Sequence, residues 1–161
     1  MRWMSRKKSK TIPIDPKIMQ LIELRETNRQ LDNIKDFNGD LIVDDYDMNR
    51  MTLSRFLRDK GIHSEQCVDG LDAIEELCYS NYNTVWLDIY MPKLNGYETI
   101  EIIRNKYPRG LGYNGKIIAM SGVDDDNYYR RCKQLNFNHV ICKPYDKTEI
   151  DHYRKSSPTT A

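Results

Sequence analysis

No run of about 18 apolar residues occurs in the 161-residue sequence, so no membrane-spanning helix is predicted. The basic N-terminal stretch MRWMSRKKSK is not followed by the apolar segment of a secretory signal, which argues against export. Cys67, Cys78, Cys132 and Cys142 lie ten or more residues apart, with no C-x-x-C pair. That excludes the common zinc frameworks and leaves reduced thiols in a cytoplasmic protein as the expectation. There is no internal repeat. No helix-turn-helix or other output module fits after the last predicted helix.

Charge is divided unevenly. The total is +1, but residues 1–37 carry nine Lys or Arg against five acids, which leaves the remainder net acidic. The run Arg6-Lys7-Lys8-Ser9-Lys10 attracts phosphates without reading a base sequence. A solvated tail or a nuclear-import signal explains it equally well, so nucleic acid is not the expected partner and a nuclear location is the alternative to a cytoplasmic one.

From residue 40 onward, apolar strand-like runs alternate with segments of helical period. The predicted strands are Leu41-Ile42-Val43, Ile62 to Cys67, Thr84-Val85-Trp86-Leu87 ending on Asp88, Lys116 to Met120, and His139 to Cys142. Helices are predicted between them, with Gly61 as a C-cap and Asp69-Gly70 as an opening; a helix with Tyr97, Ile100, Ile103 and Tyr107 follows Gly96. The last two helices are Asp125 to Leu135 and Lys147 to Lys155. Near-continuous apolar strands separated by helices predict an α/β fold, a doubly wound five-stranded parallel sheet covered on both faces. The domain limits follow: a basic tail over 1–14, a helical linker over 15–37, the main domain over 38–155 and a tail over 156–161. In the linker, Leu21, Leu24, Asn28 and Leu31 occupy a, d, a, d of a heptad, which suits a short dimeric coiled coil. An amphipathic helix packed on its own domain has the same spacing.

Ligands of open parallel sheets bind beyond the carboxyl ends of the strands, where the strand order reverses. At that edge the sequence places Asp44 and Asp45, Asp88, Ser121 and Lys143. Singly, each is an ordinary cap or turn residue; together they form a set of three carboxylates, a hydroxyl and an ammonium. Crowded carboxylates repel unless a cation neutralises them, and Mg²⁺ is a hard ion that takes carboxylate oxygens and holds phosphate. A carboxylate beside Mg²⁺ and a lysine can attack phosphorus to give an acyl phosphate.

These motifs resemble the response-regulator receiver family over residues 40 to about 155. Leu41-Ile42-Val43-Asp44-Asp45 is similar to its acidic pair. Asp88-Ile89-Tyr90-Met91-Pro92-Lys93-Leu94-Asn95-Gly96 is similar to its D-x-x-M-P-x-x-x-G loop, Ile117 to Gly122 to its hydroxyl-bearing strand, and Cys142-Lys143-Pro144-Tyr145 to its lysine strand. Intervals of 43, 33 and 22 residues separate Asp45, Asp88, Ser121 and Lys143. The resemblance implies a flavodoxin-like fold and a phosphoacceptor at Asp88, supplied by a histidine kinase or histidine phosphotransfer protein and read by a downstream effector, in a stand-alone receiver or in the receiver of a hybrid histidine kinase. It implies Mg²⁺ held by Asp44, Asp45, Asp88 and the Tyr90 carbonyl, with Asp44 acting partly through water. Ser121 and Lys143 would contact the phosphoryl group, and the Lys143-Pro144 bond would be cis. Tyr90 and Val123 occupy the positions that flank the path of attacking water and so tune dephosphorylation.

Val140 departs from the family, which commonly carries an aromatic residue there; readout through the Ser121-Gly122-Val123 loop and the Tyr128-Tyr129 helix is the expected substitute. A second reading is a phosphohydrolase of the haloacid-dehalogenase type with Asp88 as nucleophile. It needs an acid two residues later, where Tyr90 stands, so a phosphoacceptor rather than a turnover enzyme is expected.

Overall fold

The computed structural model describes residues 15–156, so the basic tail over 1–14 and all but the first residue of the 156–161 tail lie outside the described residues. The elements run α1 (Pro16–Gln30), β1 (Lys35–Asp36), β2 (Gly39–Val43), α2 (Asp47–Asp59), β3 (His63–Cys67), α3 (Gly70–Glu76), β4 (Ser80–Asn81), β5 (Thr84–Asp88), α4 (Gly96–Arg104), β6 (Ile117–Ser121), α5 (Asp126–Gln134), β7 (His139–Cys142) and α6 (Lys147–Lys155).

Five strands form one sheet in the order β3-β2-β5-β6-β7, with every neighbouring pair parallel. Every residue of β2, β5 and β6 is buried, because helices cover both faces and no strand residue is left to face water. The period of two along each strand divides the core into two clusters. Leu41, Val43, Val85, Leu87, Ile117 and Ala119 pack with α3 and α4. Ile42, Trp86, Ile118 and Met120 face the other way, against Leu53 and Leu57 of α2 and Ile150 of α6.

Local chemistry sets the helix ends. Asp69, Asn95, Asp125 and Asp146 cap α3 to α6 by accepting a hydrogen bond from a backbone N–H three residues on, and Asn95 and Asp146 form reciprocal capping boxes with Glu98 and Glu149. Gly61, at φ +75°, turns the chain out of α2. Tyr107 does not belong to α4 as its spacing suggests: the helix stops at Arg104, and Pro108 disfavours helical backbone at Tyr107.

In the segment 15–37, one face of α1 packs on the chain's own domain. Leu21 and Ile22 join the core cluster that includes α3, whereas Leu31 is 63% exposed. The Arg25 guanidinium is buried; it donates to the backbone carbonyls of Leu77 and Leu111 and to Asn81 Oδ1. Asn28 Nδ2 donates to the Cys78 carbonyl at 2.8 Å. The two a positions of the heptad, Leu21 and Asn28, are therefore taken up by the chain's own domain, and Arg25 and Asn28 satisfy carbonyls left open at the C-terminal end of α3. Past α1, β1 pairs in parallel with β4 in a two-stranded sheet that has no counterpart in the sequence reading.

Candidate phosphoacceptor site

The order of the main sheet reverses between β2 and β5, and both strands end in carboxylates there. Asp44 follows β2 and is 1% exposed, Asp88 ends β5 and is 5% exposed, and Asp45 points into solvent. A carboxylate oxygen from each of the three lies within 4.8 Å of the others, an arrangement able to hold a metal ion. Lys143, just past β7, bridges the two buried acids: Nζ is 2.7 Å from Asp44 Oδ2 and 3.1 Å from Asp88 Oδ1. Its peptide bond to Pro144 is cis, as the resemblance implied. Gly96 lets the loop after β5 return to the strand, since a Cβ there would stand 2.4 Å from the Asp88 carbonyl oxygen.

The electrostatics follow from crowding in a desolvated place. Burial drives the Asp88 carboxyl up from its ordinary 3.8 to about 6; Lys143 opposes this, and Asp44 and Asp45 add to it. For Lys143, burial acts downward, but the hydrogen bond and charge of Asp44 and the charge of Asp88 outweigh it and hold the ammonium above its usual value. The Tyr145 phenol is pushed upward, first by burial and then by Asp44 and Asp88.

Ser121 ends β6 and is fully buried, and its Oγ accepts the Val123 N–H at 3.0 Å. That bond leaves the hydroxyl proton free to be donated. Tyr90 and Val123 are 57% and 37% exposed, so both remain accessible beside the loops that border the site. All the residues singled out from the sequence thus lie at one edge of the sheet.

Two polar residues outside the sequence motifs, Asn49 and Arg50, also belong to it, together with Tyr145 of the lysine motif. Asn49 Nδ2 donates to Asp44 Oδ2 at 3.1 Å, Arg50 Nη1 donates to the Asp44 carbonyl at 2.8 Å, and Tyr145 lies close enough for both buried acids to shift it. A signal for the first two did exist. Helix side chains tilt toward the N-terminus, so polar residues in the first turn of α2 can reach back to the acidic pair.

The sequence pattern of the response regulator receiver domain matches residues 41–154. The chain belongs to the response regulator receiver family. The osmosensing histidine protein kinase SLN1 of Saccharomyces cerevisiae is 27% identical to this receiver over 152 residues, which cover 87% of the chain but 12% of the kinase. The transcription factor SKN7 of the same yeast is 31% identical over 110 residues, covering 68% of the chain and 17% of the factor. The receiver therefore spans a small part of these relatives. Its fold matches the receiver domain of the sensor histidine kinase PA1611 from Pseudomonas aeruginosa, solved with a magnesium ion coordinated in its active site cleft, at a TM-score of 0.66 and 24% identity over 73% of this chain and 94% of that one. The chemotaxis protein CheY4 of Vibrio cholerae matches at a TM-score of 0.63 and 19% identity, covering 74% of this chain and 94% of that one. The receiver is thus a two-component signal-transduction domain of the flavodoxin-like fold, and no described helix is long and apolar enough to cross a membrane.

Proposed function

We propose that Asp88 accepts a phosphoryl group from the phosphohistidine of a histidine kinase or histidine phosphotransfer protein, and that the resulting change is read by a downstream effector. The observation that carries this reading is the meeting of Asp44, Asp45 and Asp88 within 4.8 Å, with Lys143 bound to the two buried acids. In the transfer a carboxylate oxygen of Asp88 forms the new O–P bond as the N–P bond of phosphohistidine breaks, and the imidazole leaves with the bonding electron pair. Lys143 stands where it offsets the charge of the incoming phosphoryl oxygens, and Ser121 has a proton to donate to one of them.

The donor set fits a hard divalent cation: it is all oxygen, it is anionic, and the charges of Asp44 and Asp45 add to the burial that raises the Asp88 pKa. Asp44, Asp45 and Asp88, with the Tyr90 carbonyl, would hold Mg²⁺, which when bound supplies charge neutralisation for the phosphoryl oxygens. Release is hydrolytic, and Tyr90 and Val123 restrain it: a large ring and a β-branched apolar group flank the path of water, and neither can orient it. The working unit is the body over 38–155 with the 15–37 segment docked on it, acting in the cytoplasm as a phosphoacceptor switch rather than a turnover enzyme.

The test is incubation of the purified chain with a small acyl-phosphate donor and Mg²⁺. One phosphoryl group should be added by intact mass, and Asp88→Asn should abolish the addition; labelling of that variant at wild-type level rejects the assignment.

A further inference from the structure

Arg50 is a buried cation beside the acidic cluster, 9% exposed, and the phosphoryl chemistry makes no use of it. All three faces of its guanidinium are engaged. Nη1 donates to the Asp44 carbonyl at 2.8 Å, Nη2 pairs with Asp47 Oδ1, and Nε donates to Gln66 Oε1 at 3.3 Å. The side chain thus ties the turn after β2 to the first turn of α2 and to the neighbouring strand β3.

The Asp44 carbonyl lies in the same rigid peptide plane as the Asp45 N–H, so fixing that oxygen fixes the direction in which the backbone enters Asp45. The Asp44 side chain is held separately: Oδ1 accepts from the Tyr46 N–H at 2.9 Å, and Oδ2 accepts from Asn49 and Lys143. Asp45 is exposed and shows no comparable set of side-chain bonds among those described, so its carboxylate depends on the backbone beneath it for its aim.

We infer that Arg50 is a positioning residue for the metal, acting through the Asp44–Asp45 peptide and anchored by Gln66, so that a guanidinium strengthens the binding of a cation. The inference rests on the proposed Mg²⁺ site. What makes it testable is its sign. If Arg50 acted only as a charge, its like charge would repel Mg²⁺, and its removal would tighten binding. As an outer-shell support, its removal should weaken binding, and such losses run to about 10–100-fold.

The measurement is Mg²⁺ titration of the full chain by calorimetry, at constant ionic strength, for wild type, Arg50→Gln, Arg50→Lys and Gln66→Ala, with far-UV circular dichroism as the check of folding. Arg50→Gln should weaken Mg²⁺ by at least about tenfold. Arg50→Lys keeps the charge and a single donor nitrogen but not the fork, and should fall between Arg50→Gln and wild type. Gln66→Ala changes no charge and removes an exposed residue, so it folds even where Arg50→Gln does not; it should weaken Mg²⁺ severalfold. Tighter binding by Arg50→Gln, or unchanged binding by Gln66→Ala, overturns the positioning role while leaving the metal site standing. Absence of Mg²⁺ binding by the wild type would instead refute the proposed site itself.

Discussion

Replacing Asp88 with Asn should make the metal-free protein more stable, although it removes one partner of a buried ion pair. The carboxyl is raised from 3.8 to about 6, so the folded state holds that proton more tightly than the unfolded chain does. For an acid shifted this way, stability is full below pH ~4, falls as pH rises through the window between the two values, and stays low above about 6. Two pH units correspond to about 3 kcal/mol of penalty at pH 7.5. The net value already includes the help of Lys143, and Lys143 keeps Asp44 at 2.7 Å after the substitution. The Asn amide gives back part of the gain, because its NH₂ needs an acceptor in a buried place, so a stabilisation of about 1–2 kcal/mol is expected. The assay is urea unfolding of both proteins in chelator at pH 7.5 and at pH 5. The variant's advantage should fall by about 1.4 kcal/mol at pH 5, which removes most of it, as the wild-type carboxyl takes up its proton. In saturating Mg²⁺ the wild type should recover through ligand linkage. A variant less stable than wild type in chelator at pH 7.5, or a gap that ignores pH, would refute the claim that Asp88 is strained by desolvation and crowding.

The other predictions concern the metal, the lifetime of the phosphorylated state and the two ends of the domain. Asp45→Ala should weaken Mg²⁺ binding by at least about tenfold, or ~1.4 kcal/mol, by calorimetric titration, and unchanged affinity counts against the site. Tyr90→Asn combined with Val123→Glu should speed loss of phosphate by at least about tenfold, read as decay of phosphoprotein after donor removal; slower decay means that water access is not the control. Arg154→Ala should cost about 3 kcal/mol, because Asp40 is fully buried and Arg154 is its only ion-pair partner among the described residues, leaving Trp86 Nε1 at 3.0 Å. Burial already raises the Asp40 carboxyl, so that cost should lessen in acid as the uncompensated carboxylate is protonated. Deleting residues 15–37 should lower the unfolding midpoint without converting a dimer to a monomer in sedimentation, because Leu21 and Asn28 are packed on their own domain.

The sheet was legible because its three central strands, β2, β5 and β6, are buried on both faces and so read as continuous apolar runs between helices. The site was legible for a related reason: a parallel sheet delivers the residues after β2, β5, β6 and β7 to one edge whatever their separation in sequence. Two features were not legible. Paired strands as short as Lys35–Asp36 and Ser80–Asn81 carry no periodicity, since two residues cannot alternate detectably. The helix α1 was ambiguous because a dimer seam and an intramolecular face use the same spacing; the choice turned on Arg25, whose guanidinium is buried against backbone carbonyls, where a composition-based reading expects it in solvent. Arg50 and Asn49 were passed over for a similar reason. Polar residues in the first turn of an exposed helix are ordinary, and only the path of the chain after β2 shows that these two hold the acidic pair.

The central claim is that one carboxylate of the acidic cluster, that of Asp88, carries the phosphoryl group. The most direct test is to phosphorylate the full chain in Mg²⁺, reduce the product with borohydride, and map the peptides by mass spectrometry. An acyl phosphate is reduced to the alcohol, so an aspartyl phosphate becomes homoserine and marks its own position. Homoserine is expected at residue 88 alone, dependent on donor and Mg²⁺; homoserine at 44 or 45, or stable label on Ser121 with none at 88, would show that Asp88 is not the acceptor.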